Sequence, residues 1–431
     1  MSSSDSLPRS VSSQWVAFVG CGGFLATLLA LARLDVNRPL LILLAMAGTA
    51  LPMIVLDLGV RRVHRNPSTG LDFDGPARRL ALGRVATKLL GFYATIGGLA
   101  LLYWAAPEYE RSFYQPFWEL LELALWPVLA AAVPYFAWLD RRMREPRDGY
   151  WHAGRAVLGQ WNGVDWRLLR GHLLGWVIKG FYLPLMSVYL GDAAAWLAHS
   201  DPMAALGSFP QVVTWISKLA LGVDLAFVAI GYVLMLRVLD THIRSPNPFM
   251  YGWVFTLMLY QPFWSTMSKR FFAYGDGDVW TDHLEGIPLL LTVWGVLIIA
   301  SKLGWAWSNL SFGTRFSNLT NRGIITNGPY RFTKHPSYLF KNLSWWLLSV
   351  PFLSADGPAQ AAQHAVALLG VNLLYAVRAR AEEQHLSEDP DYVRYALWMN
   401  EHGVFAGLGR WLPCLRYRPP HGTEVAANQG S

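Results

Sequence analysis

The chain has 431 residues, of which 53% are hydrophobic and 15% are charged, whereas soluble domains carry about 25% charged residues. Long apolar runs recur as far as residue 378, so the composition excludes an ordinary soluble protein and indicates a polytopic membrane protein. The net charge is +7, which we attribute to cytoplasmic loops facing anionic lipid rather than to nucleic-acid binding. With two cysteines, Cys21 and Cys414, the chain offers neither a disulfide framework nor a Cys-based metal site.

The apolar runs predict an all-α fold with about ten transmembrane helices. Lipid requires internally satisfied backbones, and the chain lacks the succession of ~10-residue alternating segments that a barrel needs. The predicted spans lie at about 14–32, 39–60, 88–105, 117–138, 172–197, 212–239, 249–267, 287–304, 337–354 and 359–378.

The charges of the loops predict the topology. Basic loops follow the second, fourth, sixth and eighth spans, and acidic or neutral loops follow the third, fifth and seventh. By the positive-inside rule both termini face the cytoplasm, and we expect a bacterial inner-membrane protein. The Trp- and Arg-rich loop at 140–171 is typical of an amphipathic segment on the inner headgroup layer.

A polar segment, NRGIITNGPYRFTKHPSY at 321–338, separates the eighth and ninth spans. Asn327-Gly328-Pro329 predicts a turn, and residues 330–333 predict a short extended run. Pro336 favours a helix start, which places His335 beside free backbone amides that can hold a carboxylate, a phosphate or a polar cofactor end. The alternative is a juxtamembrane turn whose cations extend to lipid phosphates.

A second polar segment, RARAEEQHL at 378–386, follows the last apolar run. Arg378 and Glu382 are four residues apart, so they share one face of a continuing helix. Arg380, Glu383 and His385 flank that face. The alternative is a solvated helix end with an ordinary charge pair.

Together, GPYRFTKHPSY, an apolar hairpin and RARAEEQHLSEDPDYVRY resemble the isoprenylcysteine carboxyl methyltransferase and phospholipid methyltransferase superfamily. That family carries a G-x-Y-x-x-x-R-H-P-x-Y element and, two helices later, an R-x-x-x-E-E element that ends in a Y-x-x-Y helix. The resemblance covers about residues 287–415 and predicts a methyltransferase-like transmembrane domain of that extent. It would follow an N-terminal region of about seven helices at 1–286, whose role is unknown, and precede a disordered tail at 416–431.

The resemblance implies S-adenosylmethionine as the cofactor, held at the cytoplasmic face, and an acceptor carboxylate, amine or hydroxyl on an amphipathic lipid. It calls for no metal. The positions that match cofactor contacts are Gly328, Tyr330, His335, Tyr338, Glu382 and Glu383. The positions expected to be catalytic are Arg378, Lys334 and Arg331, with Arg378 matching a family arginine that orients an anionic acceptor.

Two positions depart from the family pattern: Lys334 replaces an arginine and Phe340 replaces a small glycine, which leaves the cofactor pose and the acceptor open. A second class, the NADPH-dependent membrane sterol reductases, shares the Y-x-x-x-R-H-P-x-Y sequence pattern. The basic Arg331, Lys334 and Lys341 suit a nicotinamide phosphate, whereas the glutamate pair favours the methyltransferase. A third alternative is a non-catalytic lipid-binding or transport protein.

Polar residues elsewhere complete the predictions. Asp240, His242 and Tyr260 are expected to line an acceptor chamber, with a kink at Tyr260-Gln261-Pro262. Asp224 is the deepest intramembrane charge, and Lys179 is its candidate partner. A loop with Asp276, Asp278, Asp282, His283 and Glu285 fits no named metal pattern and is expected to be a solvated outer loop.

Overall fold

The computed structural model describes residues 6–32, 34–275, 279–284 and 286–420, so Asp276, Asp278, Glu285 and the last eleven residues of the predicted tail lie outside the described residues. The α-helices are α1 Gln14–Leu31, α2 Arg38–Gly59, α3 Leu82–Ala105, α4 Gln115–Arg142, α5 Gly149–Val157, α6 Trp166–His199, α7 Phe209–Val233, α8 Met250–Leu257, α9 Phe263–Arg270, α10 Trp280–Leu284, α11 Pro288–Leu310, α12 Pro336–Ser349, α13 Pro358–Leu386, α14 Pro390–His402 and α15 Ala406–Trp411. Strands β1 Ser245–Pro246 and β2 Thr320–Asn321 form one short antiparallel pair. The all-α prediction is confirmed.

Seven helices among the described residues are long and apolar enough to cross a membrane, namely α1, α2, α3, α4, α6, α7 and α11. This confirms an integral membrane protein, while the number ten stays a prediction. The predicted seventh span is not one helix but α8 and α9, because Pro262 lacks an amide hydrogen and interrupts the helical ladder. Helix α12 has 14 residues, or about 21 Å at 1.5 Å per residue, which is shorter than the ~30 Å hydrocarbon core.

The largest apolar core lies where α1, α2, α6 and α7 meet. Glycines let α1 and α2 approach closely: a Cβ at Gly23 would lie 2.2 Å from the carbonyl oxygen of Gly48. Small residues permit such contacts between helices in lipid, where van der Waals packing replaces the hydrophobic driving force. Helices α1, α2, α6 and α7 therefore pack together into a unit that we call the scaffold.

Two buried arginines fix the loop between α11 and α12 against the end of α7. Arg322 donates to backbone carbonyls that helix α7 and the loop would otherwise leave unpaired, including those of Gly231 at 2.8 Å and Phe316 at 2.8 Å. Arg315 forms a buried ion pair with Asp240 at 3.0 Å. Because buried polar groups are costly unless they are hydrogen-bonded, this network holds the polar loop that precedes α12 in one conformation.

Asp240, expected to line an acceptor chamber, belongs to this network and lines neither of the two cavities described below. Its carboxylate accepts hydrogen bonds from Asn66 at 3.0 Å and Ser68 at 2.7 Å as well as from Arg315. Burial alone would raise the pKa of Asp240, but the charge of Arg315 and these hydrogen bonds lower it. The neighbouring His242 lies near Arg237, and burial and that guanidinium lower its pKa to about 3. We therefore assign both residues a structural role.

Candidate active site

Two cavities meet at the N-terminal end of α12. The first, the chamber, has a volume of about 230 Å³ and lies among α6, α7, α11, α12 and α13. The second, the cleft, has a volume of about 430 Å³ and lies among α12, α13, α14 and α15. His335, Tyr338 and Tyr375 line both cavities. These three rings form a common wall between two spaces.

Helix α13 places the two adjacent glutamates in different cavities. The helix continues through the second motif to Leu386, as predicted, and successive residues on an α-helix point about 100° apart. Glu382 lines the chamber, together with Arg378 one turn earlier, whereas Glu383 lines the cleft. The two adjacent glutamates therefore line different cavities.

Glu383 is the charge centre of the cleft. Its buried carboxylate lies 2.6 Å from Lys334 Nζ, 3.1 Å from His335 Nε2 and 3.0 Å from Arg380 Nη1. Burial alone would raise the pKa of Glu383, but the hydrogen bond and charge of His335 and then the charge of Lys334 lower it to about 2. The carboxylate thus stays ionised and holds three cationic or donor side chains around the cleft.

Because the pKa of Glu383 is depressed, its ionised carboxylate adds to the free energy of unfolding. An unperturbed glutamic acid titrates near pH 4.5, so this contribution is fully present above that pH and is lost as the pH falls from about 4.5 to 2. The contribution is about 3 kcal/mol, since one pKa unit corresponds to about 1.4 kcal/mol. We expect Glu383→Gln to lower the melting temperature at pH 7 and to flatten its decline below pH 5, measured on detergent-purified protein. The exposed Glu388, replaced by Gln, is the control; equal acid profiles for Glu383→Gln and wild type would contradict the assignment.

Arg378 and Tyr338 define the chamber side of the common wall. Tyr338 donates its hydroxyl hydrogen to Glu382 Oε2 at 2.7 Å, and its ring stacks on His335 with the centroids 5.5 Å apart. The Arg378 guanidinium carbon lies 5.0 Å from the Tyr338 ring centroid. Nη2 of Arg378 donates to Asn318 Oδ1 at 2.5 Å, and Asn318 Nδ2 in turn donates to Tyr232 at 2.9 Å. A buried cation is thereby held against the wall by neutral partners.

Charged side chains also lie deeper in the chamber. Lys341, one turn along α12 from Tyr338, lies over the rings of Trp305 and Trp345. Asp224 accepts a hydrogen bond from Asn309 Nδ2. The predicted pairing of Asp224 with Lys179 is wrong, because Lys179 lies over the ring of Trp176.

The sequence that builds the common wall has a family match. Residues 290–388 match the model of the isoprenylcysteine carboxyl methyltransferase (ICMT) family. The resemblance to that family is confirmed for these residues. A search of curated proteins and a search of solved structures found no match to the chain. The match indicates a membrane methyltransferase whose methyltransferase region, residues 290–388, follows the scaffold helices.

The methyltransferase region brings most of the predicted site residues to the two cavities. In the chamber are Tyr330, His335, Tyr338, Arg378, Glu382 and Tyr260; in the cleft are Lys334, His335, Tyr338 and Glu383. Tyr260 comes from the segment between α8 and α9, so the chain outside the matched residues also contributes to the chamber. The predicted start of a helix at Pro336, with His335 immediately before it, is also confirmed.

Arg331 and Gly328 line neither cavity. The extended run predicted at residues 330–333 is wrong, because Gly328–Arg331 is a 3-10 turn that leaves Arg331 exposed; Pro329 has the φ that suits the first position of a helical turn. Gly328 has φ of 55°, and a Cβ there would lie 2.4 Å from Ser311 Oγ. The glycine therefore permits the turn to pack against the end of α11.

The chamber residues that the sequence analysis did not name include Asn318, Tyr375 and Asn309. Helical spacing carries a signal for Tyr375, since 375 and 378 share a face of α13. Asn318 lies in a loop, and its contact with Arg378 joins residues 60 positions apart. No local pattern indicates such a contact.

Proposed function

We propose that the protein transfers a methyl group from S-adenosylmethionine to an amphipathic lipid-like acceptor, with the cofactor in the cleft and the acceptor in the chamber. The observation that supports this proposal is that two cavities with separate charged groups meet at the rings of His335, Tyr338 and Tyr375. Methyl transfer is an in-line displacement, so donor and acceptor must approach from opposite sides of one point. The positive-inside rule puts this site at the cytoplasmic face, and the composition suits a bacterial inner membrane.

The cleft fits the cofactor better than the chamber does. Its volume of about 430 Å³ falls within the usual 300–1,000 Å³ of small-molecule sites, whereas the chamber's volume of about 230 Å³ falls below that range. Lys334 and Arg380 supply cations for a carboxylate, and Met399 and Leu415 supply apolar surface for a base. The rings of Tyr338 and Tyr375 suit a sulfonium cation. When bound, S-adenosylmethionine supplies the electrophilic methyl group.

The chain's own residues act by positioning and by excluding water. Arg378, fixed by Asn318, presents a buried cation beside Tyr338, where it can orient an anionic or polar acceptor group. Apolar residues from α6 and α7, including Met186 and Val228, cover the other side of the chamber. A nucleophile held there loses part of its hydration, which strengthens the electrostatic interactions that orient it.

Calorimetry on detergent-purified protein tests the cofactor. We expect S-adenosylmethionine to bind and NADPH not to bind, and we expect tritium from the labelled methyl group to enter a lipid extract of the membrane. Binding of NADPH alone would replace the proposal with the reductase alternative. Binding of neither would favour a non-catalytic lipid-binding or transport protein.

A further inference from the structure

Lys341 is a cation in the chamber whose ammonium lies over aromatic rings. Its ammonium nitrogen lies 5.2 Å from the ring centroid of Trp305, 5.5 Å from that of Trp345 and 5.8 Å from that of Tyr375. Among the residues that the structure describes, no carboxylate forms an ion pair with it; the ion pairs of the methyltransferase region instead centre on Glu383. Aromatic faces offset only part of the cost of holding an ammonium away from water. Lys341 itself lines the chamber.

Of the two carboxylates that line the chamber, Asp224 interacts with Lys341 through its charge but does not form an ion pair with it. Asp224 accepts a hydrogen bond from the neutral Asn309, and Glu382 accepts one from the neutral Tyr338. Arg378 is held by Asn318. Among the residues that the structure describes, Lys341 therefore has no ion-pair partner; aromatic rings surround its ammonium, and the charge of Asp224 acts on it from beyond ion-pair distance.

Lys302 shows that a lysine in contact with Trp305 need not line the chamber. Lys302 lies over the same Trp305 ring at 5.3 Å, but it does not line the chamber. Lys341 differs in facing the cavity on the same side of α12 as Tyr338. It is placed to contact whatever occupies the chamber, about one helical turn deeper than the common wall.

A groove between α6 and α7 adjoins the apolar end of the chamber. This α6–α7 groove has a volume of about 460 Å³ and shares Tyr189, Leu221 and Leu225 with the chamber. On α6 it follows one face through Tyr189, Ala193 and Trp196, at helical spacing. Asp192 and Lys218 also line it. The groove is therefore the candidate site for the hydrocarbon chain of a molecule whose head lies at Lys341.

We propose that the chamber binds a single-chain amphiphile whose oxyanion, a phosphate or carboxylate, is recognised by Lys341, while its hydrocarbon chain occupies the α6–α7 groove. The oxyanion accepts charge-assisted hydrogen bonds from the ammonium, which are about twice as strong as neutral ones. It is separate from any group that Arg378 orients at the common wall. That this amphiphile is the methyl acceptor rests on the proposed function, whereas its binding does not.

Equilibrium binding without S-adenosylmethionine tests the recognition. The probes are radiolabelled oleoyl lysophosphatidic acid, monooleoylglycerol, which has the same tail and no phosphate, and inorganic phosphate. The protein is held in a neutral detergent. We expect lysophosphatidic acid to bind at least tenfold more tightly than monooleoylglycerol and inorganic phosphate to bind negligibly.

Matched lysine variants then locate the interaction. Lys341→Gln should weaken lysophosphatidic acid binding about tenfold, Lys341→Arg should retain most of it, and Lys302→Gln should leave it within about twofold. Leu221→Trp, in the shared part of the groove, should weaken the binding of both lipids. If Lys341→Gln fails to fold, Lys341→Arg and the comparison of the two lipids in wild type still decide the matter.

Equal binding of the two lipids would overturn the proposal, and so would equal effects of the Lys341→Gln and Lys302→Gln variants. Binding of inorganic phosphate as tight as that of lysophosphatidic acid would also overturn it, because it would indicate a site for free anions. Failure of the methyltransferase proposal has a different signature. In that case S-adenosylmethionine would not bind, while the preference for the phosphorylated lipid and its dependence on Lys341 would remain.

Discussion

Glu383→Gln should weaken S-adenosylmethionine binding by at least tenfold, whereas Glu382→Gln should leave it within about twofold. Glu383 accepts hydrogen bonds or ion pairs from Lys334, His335 and Arg380 around the cleft. Hydrogen bonds to charged groups contribute about 1.5–3 kcal/mol each, and tenfold in affinity corresponds to about 1.4 kcal/mol. Removing the charge releases the side chains that shape the proposed cofactor site. Calorimetry on the purified variants measures the effect.

Glu382→Gln is a close control, because it makes the same isosteric change at the adjacent position of α13. Its carboxylate accepts from Tyr338 on the chamber side, so its loss should appear in acceptor affinity. Binding to both variants should be measured below the melting temperature of Glu383→Gln, since that variant also loses stability. The reverse outcome, with cofactor affinity lost only in Glu382→Gln, would place the cofactor in the chamber.

The sequence predicts the features of the site that depend on local patterns. A proline after His335 predicts the helix start, and the spacing of Arg378 and Glu382 predicts that they share a face. Both hold because helix geometry relates residues a few positions apart without reference to the rest of the chain. The family resemblance also predicts which of these short patterns belong to the same site.

Features that depend on distant partners could not be predicted in this way. Asp240 sits at the end of a span, like a site residue, but Arg315, 75 positions later, and Asn66, 174 positions earlier, pair with it instead. The division of Glu382 and Glu383 between two cavities depends on where α14 and α15 pack. The scaffold's contribution through α6 and α7 to the chamber is equally non-local, since those helices lie outside the matched residues 290–388.

Arg378→Gln should lower the rate of methyl transfer at saturating S-adenosylmethionine by about a hundredfold and leave the cofactor's dissociation constant unchanged. The guanidinium is buried against Tyr338, Tyr260 and Tyr375, so it acts in a low-dielectric space where a fixed charge has its greatest effect. Loss of one such preorganised donor typically costs 10²–10³ in rate, or about 3–4 kcal/mol. Single-turnover transfer of tritiated methyl to lipid measures the step.

Arg331→Gln is the matched control, because Arg331 is exposed and lines neither cavity; its rate and cofactor affinity should equal those of wild type. Asn318→Ala tests how Arg378 is held, because it removes the acceptor of the 2.5 Å hydrogen bond and retains the cation. We expect an intermediate loss of about tenfold in rate, with little change in cofactor affinity. If Arg331→Gln lost activity as Arg378→Gln does, the exposed side chain of Arg331 would have to reach the site during turnover, and the chamber wall alone would not account for catalysis.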